Sequence, residues 1–171
     1  MNIFTHITNL IILLEAELRG TYPKEIRFRD DRFIPYLELA ERYDLPVQVH
    51  TENDGLADTA YIAEIAVKFP SVKFIMVHMG LNTGNSEAIN IISKYDNVYG
   101  DTCEVKIENV INAINECGSG KILFGTDAIV HGIDTYERYL PLIKTIRKNL
   151  SWDEAENVLF RNCIRLYKLS S

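Results

Sequence analysis

Cysteine is scarce in this chain, with three in 171 residues. Cys103, Cys117 and Cys163 are an odd number with no paired spacing, which excludes a disulfide framework and leads to the expectation of reduced thiols in a cytoplasmic setting. Basic charge is not in surplus: 18 Lys and Arg against 24 Asp and Glu leave a net charge of -6, which argues against nucleic acid or an anionic membrane as the main partner. No apolar run is long enough for a membrane span. The most apolar one, residues 3–18, carries Glu15 and Glu17, and Met1-Asn2 supplies no basic leader, so no secretory signal is expected. No glycine-rich loop follows a strand, because Gly118-Ser-Gly120 precedes one, and nucleotide binding loses its usual support. Low-complexity tracts and internal linkers are missing too, so residues 1–171 read as a single domain large enough for a real core.

What is present is a set of short apolar runs that each end on a polar, chemically capable side chain. Lys121-Ile-Leu-Phe-Gly-Thr-Asp127 ends on a carboxylate. Leu45-Pro-Val-Gln-Val-His50 and Val72-Lys-Phe-Ile-Met-Val-His78 end on imidazoles. Runs of this kind read as buried parallel strands. Side chains delivered to the C-terminal ends of such strands are where α/β enzymes assemble their sites.

Helical patterns separate the runs. Residues 1–22 form an apolar N-terminal helix in this reading, and 26–171 hold the β/α units, with Ile26–Arg29 open between a short strand and a loop. Asp30 or Asp31 caps a helix with Pro35 in its first turn, followed by Ile34, Leu37, Ala40 and Tyr43 at helical spacing. A second unit runs from Asp58 through Ile62, Ile65, Ala66 and Phe69 to a stop at Pro70. A third places Ser86, Ile89, Ile92 and Tyr95 before the short strand Asn97–Asp101, and a fourth carries Val110, Ile111 and Ile114 before Lys121. Two closing helices are expected, one over Tyr136 to Lys148 and one from Ser151 with Glu154 completing a capping box. The alternation describes an α/β fold with a parallel sheet covered by helices.

Imidazole and carboxylate donors suit zinc or another divalent ion, which lowers the pKa of a bound water to about 7 for hydrolysis. A histidine or carboxylate beside that water can move its proton. Each residue also has an ordinary structural explanation: His50 and His78 as hydrogen-bonded strand ends, and Asp127 as a cap. Glu52, Asp101 and His131 are candidates for lining the same rim and touching substrate; loop polarity explains Glu52 equally well, a structural role is favoured for Asp101, and a solvated loop residue is the simpler reading of His131. His6 lies on the first apolar segment, where packing is the simpler reading.

These residues carry a resemblance over about Arg27 to Tyr167. Leu-Pro-Val-Gln-Val-His50, Phe-Pro-Ser-Val-Lys-Phe-Ile-Met-Val-His-Met-Gly80, Asn-Val-Tyr-Gly-Asp-Thr102, Lys-Ile-Leu-Phe-Gly-Thr-Asp127 and the segment around Asn162 follow one another in the order seen in the amidohydrolase superfamily. The chain resembles in particular its amidohydrolase-related (amidohydrolase 2) metal-dependent hydrolases and decarboxylases. The resemblance implies a (β/α)8 TIM barrel. His50 would be a metal ligand on strand five, and His78 a strand-six ligand or water-activating residue. Asp127 would be the strand-eight carboxylate that binds metal and takes a proton. A divalent ion, zinc by donor type, and a small amide, ester, lactone or carboxylic acid as substrate follow from the same resemblance.

One departure matters. The family's first strand carries His-x-His, whereas here no two of the four histidines are one residue apart. A full barrel typically takes about 250 residues, so the expectation is a partial (truncated) barrel, its C-terminal half to five-eighths. Its open edges and inner face need cover, from residues 3–18 or from a second copy of the chain in a homodimer. The alternative function is a non-catalytic remnant or subunit that binds a partner or ligand without turnover. A third reading is an open doubly wound domain unrelated to the barrel.

Overall fold

A computed structural model describes residues 28–52, 57–132 and 134–169. The N-terminal helix expected over residues 1–22 lies outside them. Four strands, β1 (Val47–Glu52), β2 (Phe74–Leu81), β3 (Val98–Asp101) and β4 (Ile122–Leu123), form one sheet in the order β1-β2-β3-β4. Every pairing is parallel. Parallel neighbours need crossovers, and these are helices α2 (Thr59–Lys68), α3 (Ser86–Lys94) and α4 (Ile107–Cys117). Before β1 comes α1 (Ile34–Arg42), entered through a 3-10 turn at Asp31–Phe33. Phe28 and Arg29 lie in a turn, so the loop reading holds for that part of the segment.

Local chemistry sets these boundaries. Asp30 caps the 3-10 turn by accepting from the backbone N–H of Arg32, and the Arg32 guanidinium holds its carboxyl down to about 2. Pro35 sits in the first turn of α1, where the amide it lacks has no helical partner. Asn97 ties the end of one unit to the next: its amide donates to the carbonyls of Ala66, Phe69 and Val72. Lys121 does the same for another, reaching the carbonyls of Tyr95, Asp96 and Val98.

Strand alternation divides the sheet into two faces. Val47, Val49, Phe74, Met76, Val98 and Ile122 pack with Ile62, Ile65, Ile92, Val110 and Ile114 of the helices in the main core. The other face carries Gln48, Ile75, Tyr99 and Leu123, with Gln48, Ile75 and Tyr99 in register across the sheet. Leu166 and Tyr167 cover it, Leu166 against Ile75 and Leu123 and the Tyr167 hydroxyl against the Gln48 amide. Gly100 is required by the helix-side packing. A Cβ there would lie 2.6 Å from the Met79 Sδ and 2.7 Å from the Ile92 Cδ1. Gly100→Ala is expected to destabilise the fold by about 1–3 kcal/mol through overpacking, read as a lower urea midpoint.

The C-terminal region departs from the sequence reading in two places. The single helix expected over Tyr136–Lys148 is two, α6 (Thr135–Arg138) and α7 (Leu140–Asn149), after the short α5 (Ala128–His131). Pro141 enters at the start of α7 and cannot donate back to the preceding turn, so the chain breaks at Tyr139. The helix from Ser151 has its capping box and begins as α8 (Trp152–Glu156). A π turn at Asn157–Arg161 then interrupts it before α9 (Asn162–Tyr167). The Val158 carbonyl in that turn accepts from the Phe124 N–H at 2.9 Å. The run Lys121–Asp127 therefore pairs as a strand only over Ile122–Leu123 before leaving the sheet.

Candidate functional site

The second row of the inner face is where chemistry-bearing side chains gather. His50 lies two residues beyond Gln48 and Asp101 two beyond Tyr99, so alternation puts both on the inner face, at the C-terminal rim. His78 arrives there differently. Val77 pairs with His50, which by alternation would send His78 to the helix side with Met76. The register breaks instead: two steps along β1, from His50 to Glu52, match four along β2, from Val77 to Leu81. His78, Met79 and Gly80 all take positive φ, at +70°, +46° and +83°. This bulge re-aims the His78 ring. It meets the His50 ring edge to face, with centroids 5.0 Å apart.

Three side chains hold the bulge. Thr51 Oγ1 donates to the Val77 carbonyl and accepts from the Gly80 N–H, both at 2.8 Å. Asn85 donates to the carbonyls of His78, Met79 and Gly80 and is itself held by the Asn109 amide at 2.7 Å. Asp101 takes the N–H of His78 at 2.9 Å. It also accepts from the Cys103 N–H at 3.1 Å and the Cys103 thiol at 3.0 Å. Burial pushes the Asp101 carboxyl up from its ordinary range, and the same burial, with Asp101 beside it, pushes the Cys103 thiol up, so this cysteine is no nucleophile.

The shift of Asp101 fixes a pH dependence. Its folded pKa lies above the unfolded value, so between the two the folded state holds the extra proton and stability falls as pH rises. Above the folded value the full cost of a buried charge is present. Asp101→Asn is therefore expected to melt higher than wild type near pH 8, with the gap closing as pH is lowered toward the ordinary carboxylate pKa of about 4. A series of thermal melts across that range checks it.

Of the six residues singled out in the sequence, the structure places His50, His78 and Asp101 in one buried cluster. Glu52 adjoins it, its Oε2 3.3 Å from the His50 Nε2. Asp127 is the N-cap residue of α5, with φ +53°. Its carboxylate faces His131, with Oδ2 3.6 Å from Nε2. His131 in turn lies 3.5 Å from the Glu104 Oε1, which also pairs with Arg138 at 3.2 Å. Two cavities open beside these groups. One, of about 290 Å³, is lined by Glu52, Asp58, Thr59, Asn85 and Glu87. The other, of about 220 Å³, is lined by Glu104, Lys106, Arg138 and Tyr139.

Thr51, Asn85, Cys103 and Glu104 are the parts that sequence reading missed. Only Asn85, of a type that tolerates left-handed backbone, left a signal there. As metal donors the described residues have the right chemistry, two imidazoles and a carboxylate. Yet among the described residues no three His, Cys, Asp or Glu side chains converge closely enough to hold an ion. No metal site is complete among them. Among the described residues no helix is long and apolar enough to cross a membrane, and the three cysteines are free thiols.

Comparison with known proteins gives this geometry its context. The sequence profile described as Amidohydrolase matches residues 16–169. No curated protein matches the chain. Solved structures do. An uncharacterised TIM-barrel protein from Bordetella bronchiseptica superposes with a TM-score of 0.66 at 21% identity, over 87% of this chain and 54% of that one. An amidohydrolase 2 from Bifidobacterium longum subsp. infantis gives 0.63 at 18%, over 82% and 56%. A dihydroxybenzoic acid decarboxylase from Polaromonas sp., solved with manganese and the inhibitor 2-nitroresorcinol, gives 0.60 at 20%, over 88% and 57%. The chain thus spans between 54% and 57% of these three structures. The four parallel β/α units among the described residues are a partial (β/α)8 barrel, and the inner face of the sheet is the barrel's interior.

Proposed function

The chain belongs to the amidohydrolase family, and from that premise we propose that it is a metal-dependent hydrolase or lyase acting on a small amide, ester, lactone or carboxylic acid. The observation that carries the reading is the meeting of His50 and His78 at the rim, brought about by a bulge of the kind over-represented beside active sites. Zinc is the ion that imidazole and carboxylate donors favour; His50 and Asp127 would hold it, with His78 beside the bound water. The described donors do not complete that site, and the proton transfers fall to the chain's own groups.

His78 is the proton carrier. Its Nδ1 lies 3.2 Å from the Cys103 carbonyl, which can only accept, so Nδ1 bears the hydrogen and the neutral ring keeps its lone pair on Nε2. That nitrogen takes a proton from an attacking water or returns one to a leaving group. Asp127 is the second acceptor, and His131, the most exposed of the group, passes its proton to solvent. Lys106 and Arg138 suit a substrate that carries a carboxylate.

The test is turnover. Purified protein supplied with zinc or manganese is screened against esters, lactones, amides and hydroxybenzoic acids. Hydrolysis or decarboxylation that is lost on changing His78 supports the reading, and its absence across all classes and both ions sinks it. A second reading, binding without turnover, is favoured by the incomplete donor set. Saturable binding of one of these compounds with no product formed would establish it instead.

A further inference from the structure

We infer that Asp101 is the positioning residue of this site: one buried carboxylate gathers the main chains of His78 and Cys103, and so puts the Cys103 carbonyl against Nδ1 of His78. The reading above enters only in taking His78 as the reactive histidine. An unbroken β2 would turn His78 toward the helices, and the bulge turns it to the rim. Thr51 and Asn85 tie the carbonyls and the Gly80 amide of that bulge, but the amide of His78 itself goes to Asp101. The same oxygen, Oδ1, accepts from the Cys103 N–H. Two strand ends are thereby pinned to one atom, which fixes the distance from the Cys103 carbonyl to the His78 ring. Oδ2 is occupied by the Cys103 thiol. Both oxygens are spent on internal donors, so Asp101 acts on the site through His78 and not by touching substrate.

Gly125 shows how closely the carboxylate is fitted. A Cβ on Gly125 would fall 2.7 Å from the Asp101 Oδ2 and 2.7 Å from the Cys103 Sγ. Thr102 clamps Gly125 in place, its Oγ1 donating to the Gly125 carbonyl and accepting from the Gly125 N–H, both at 3.0 Å. The end of β3 and the run after β4 thus press on Asp101 together.

The experiment reads the tautomer of His78 by nitrogen-15 NMR of the histidine rings at about pH 8.5, where ordinary imidazoles are neutral. The His78 signal is assigned by its loss in His78→Asn. Wild type is expected to show the Nδ1-protonated tautomer alone. In Asp101→Ala the two nitrogen shifts should move toward their mean as the second tautomer appears. Asp101→Asn, whose side-chain oxygen still accepts both amides, should restore the wild-type pattern. Gly125→Ala, expected to disturb the signal by displacing the carboxylate, covers the case in which Asp101→Ala does not fold. A wild-type His78 protonated on Nε2 overturns the inference, as does an undisturbed signal in either folded variant or a failure of Asp101→Asn to restore it. None of these readouts needs turnover, so this inference and the hydrolase or lyase reading can fail separately.

Discussion

Phe74→Ala is expected to cost about 3–5 kcal/mol, the range for truncating a fully buried aromatic residue. Phe74 is completely buried on β2, paired with Val47 on one side and Val98 on the other. Phe28 packs on its ring edge to face at 6.2 Å, and both lie in the main core. The neighbouring strands are held by the ladder on both sides. A domain of this size has roughly 5–15 kcal/mol in total, so the variant should melt about 6–20 °C below wild type. Val67→Ala is the control. Val67 is 64% exposed on the same unit, and its loss should stay within about 0.5 kcal/mol. Equal losses at the two positions would mean that the sheet is not packed as described.

His78→Asn is expected to lower kcat about 10²–10⁴-fold with KM little changed, the usual contribution of a positioned acid or base. Asparagine is the right replacement because position 78 sits at φ +70°, where asparagine is tolerated and most side chains are strained. Its melting temperature should therefore stay near that of wild type, which separates lost chemistry from lost fold. His131→Asn is expected to fall much less, since His131 lies at the exposed end of the Asp127 pair and water can replace it. Parallel steady-state kinetics on the two variants decide the point, and equal losses would contradict the assignment of His78.

The sheet was legible because each strand is a continuous apolar run between helices whose buried residues recur at helical spacing. Ile62, Ile65 and Ala66, or Val110, Ala113 and Ile114, leave little choice of face. The polar ends His50 and His78 also stood out against those runs. What stayed hidden depends on contacts distant in the chain. The bulge at His78–Gly80 is announced only by Gly80, since its other supports, Thr51 and Asn85, come from a neighbouring strand and a following turn. Asp101 was legible as a rim candidate at the end of a short strand, but its three donors were not. Cys103 contributes through its carbonyl and thiol, which no residue pattern reveals. The break at Tyr139 follows from Pro141 and was in principle readable, whereas the π turn at Asn157–Arg161 leaves no sequence mark.

The central claim is that His50 and His78 belong to one site at the rim of the barrel's inner face. Zinc titration of nitrogen-15-labelled protein, read on the histidine rings, tests it most directly. The signals of His50 and His78 are expected to shift together over one range of zinc concentration, and that of His78 to stop responding when His50 is replaced by asparagine. Two rings that stay unmoved, or that respond separately at different zinc concentrations, would contradict the account.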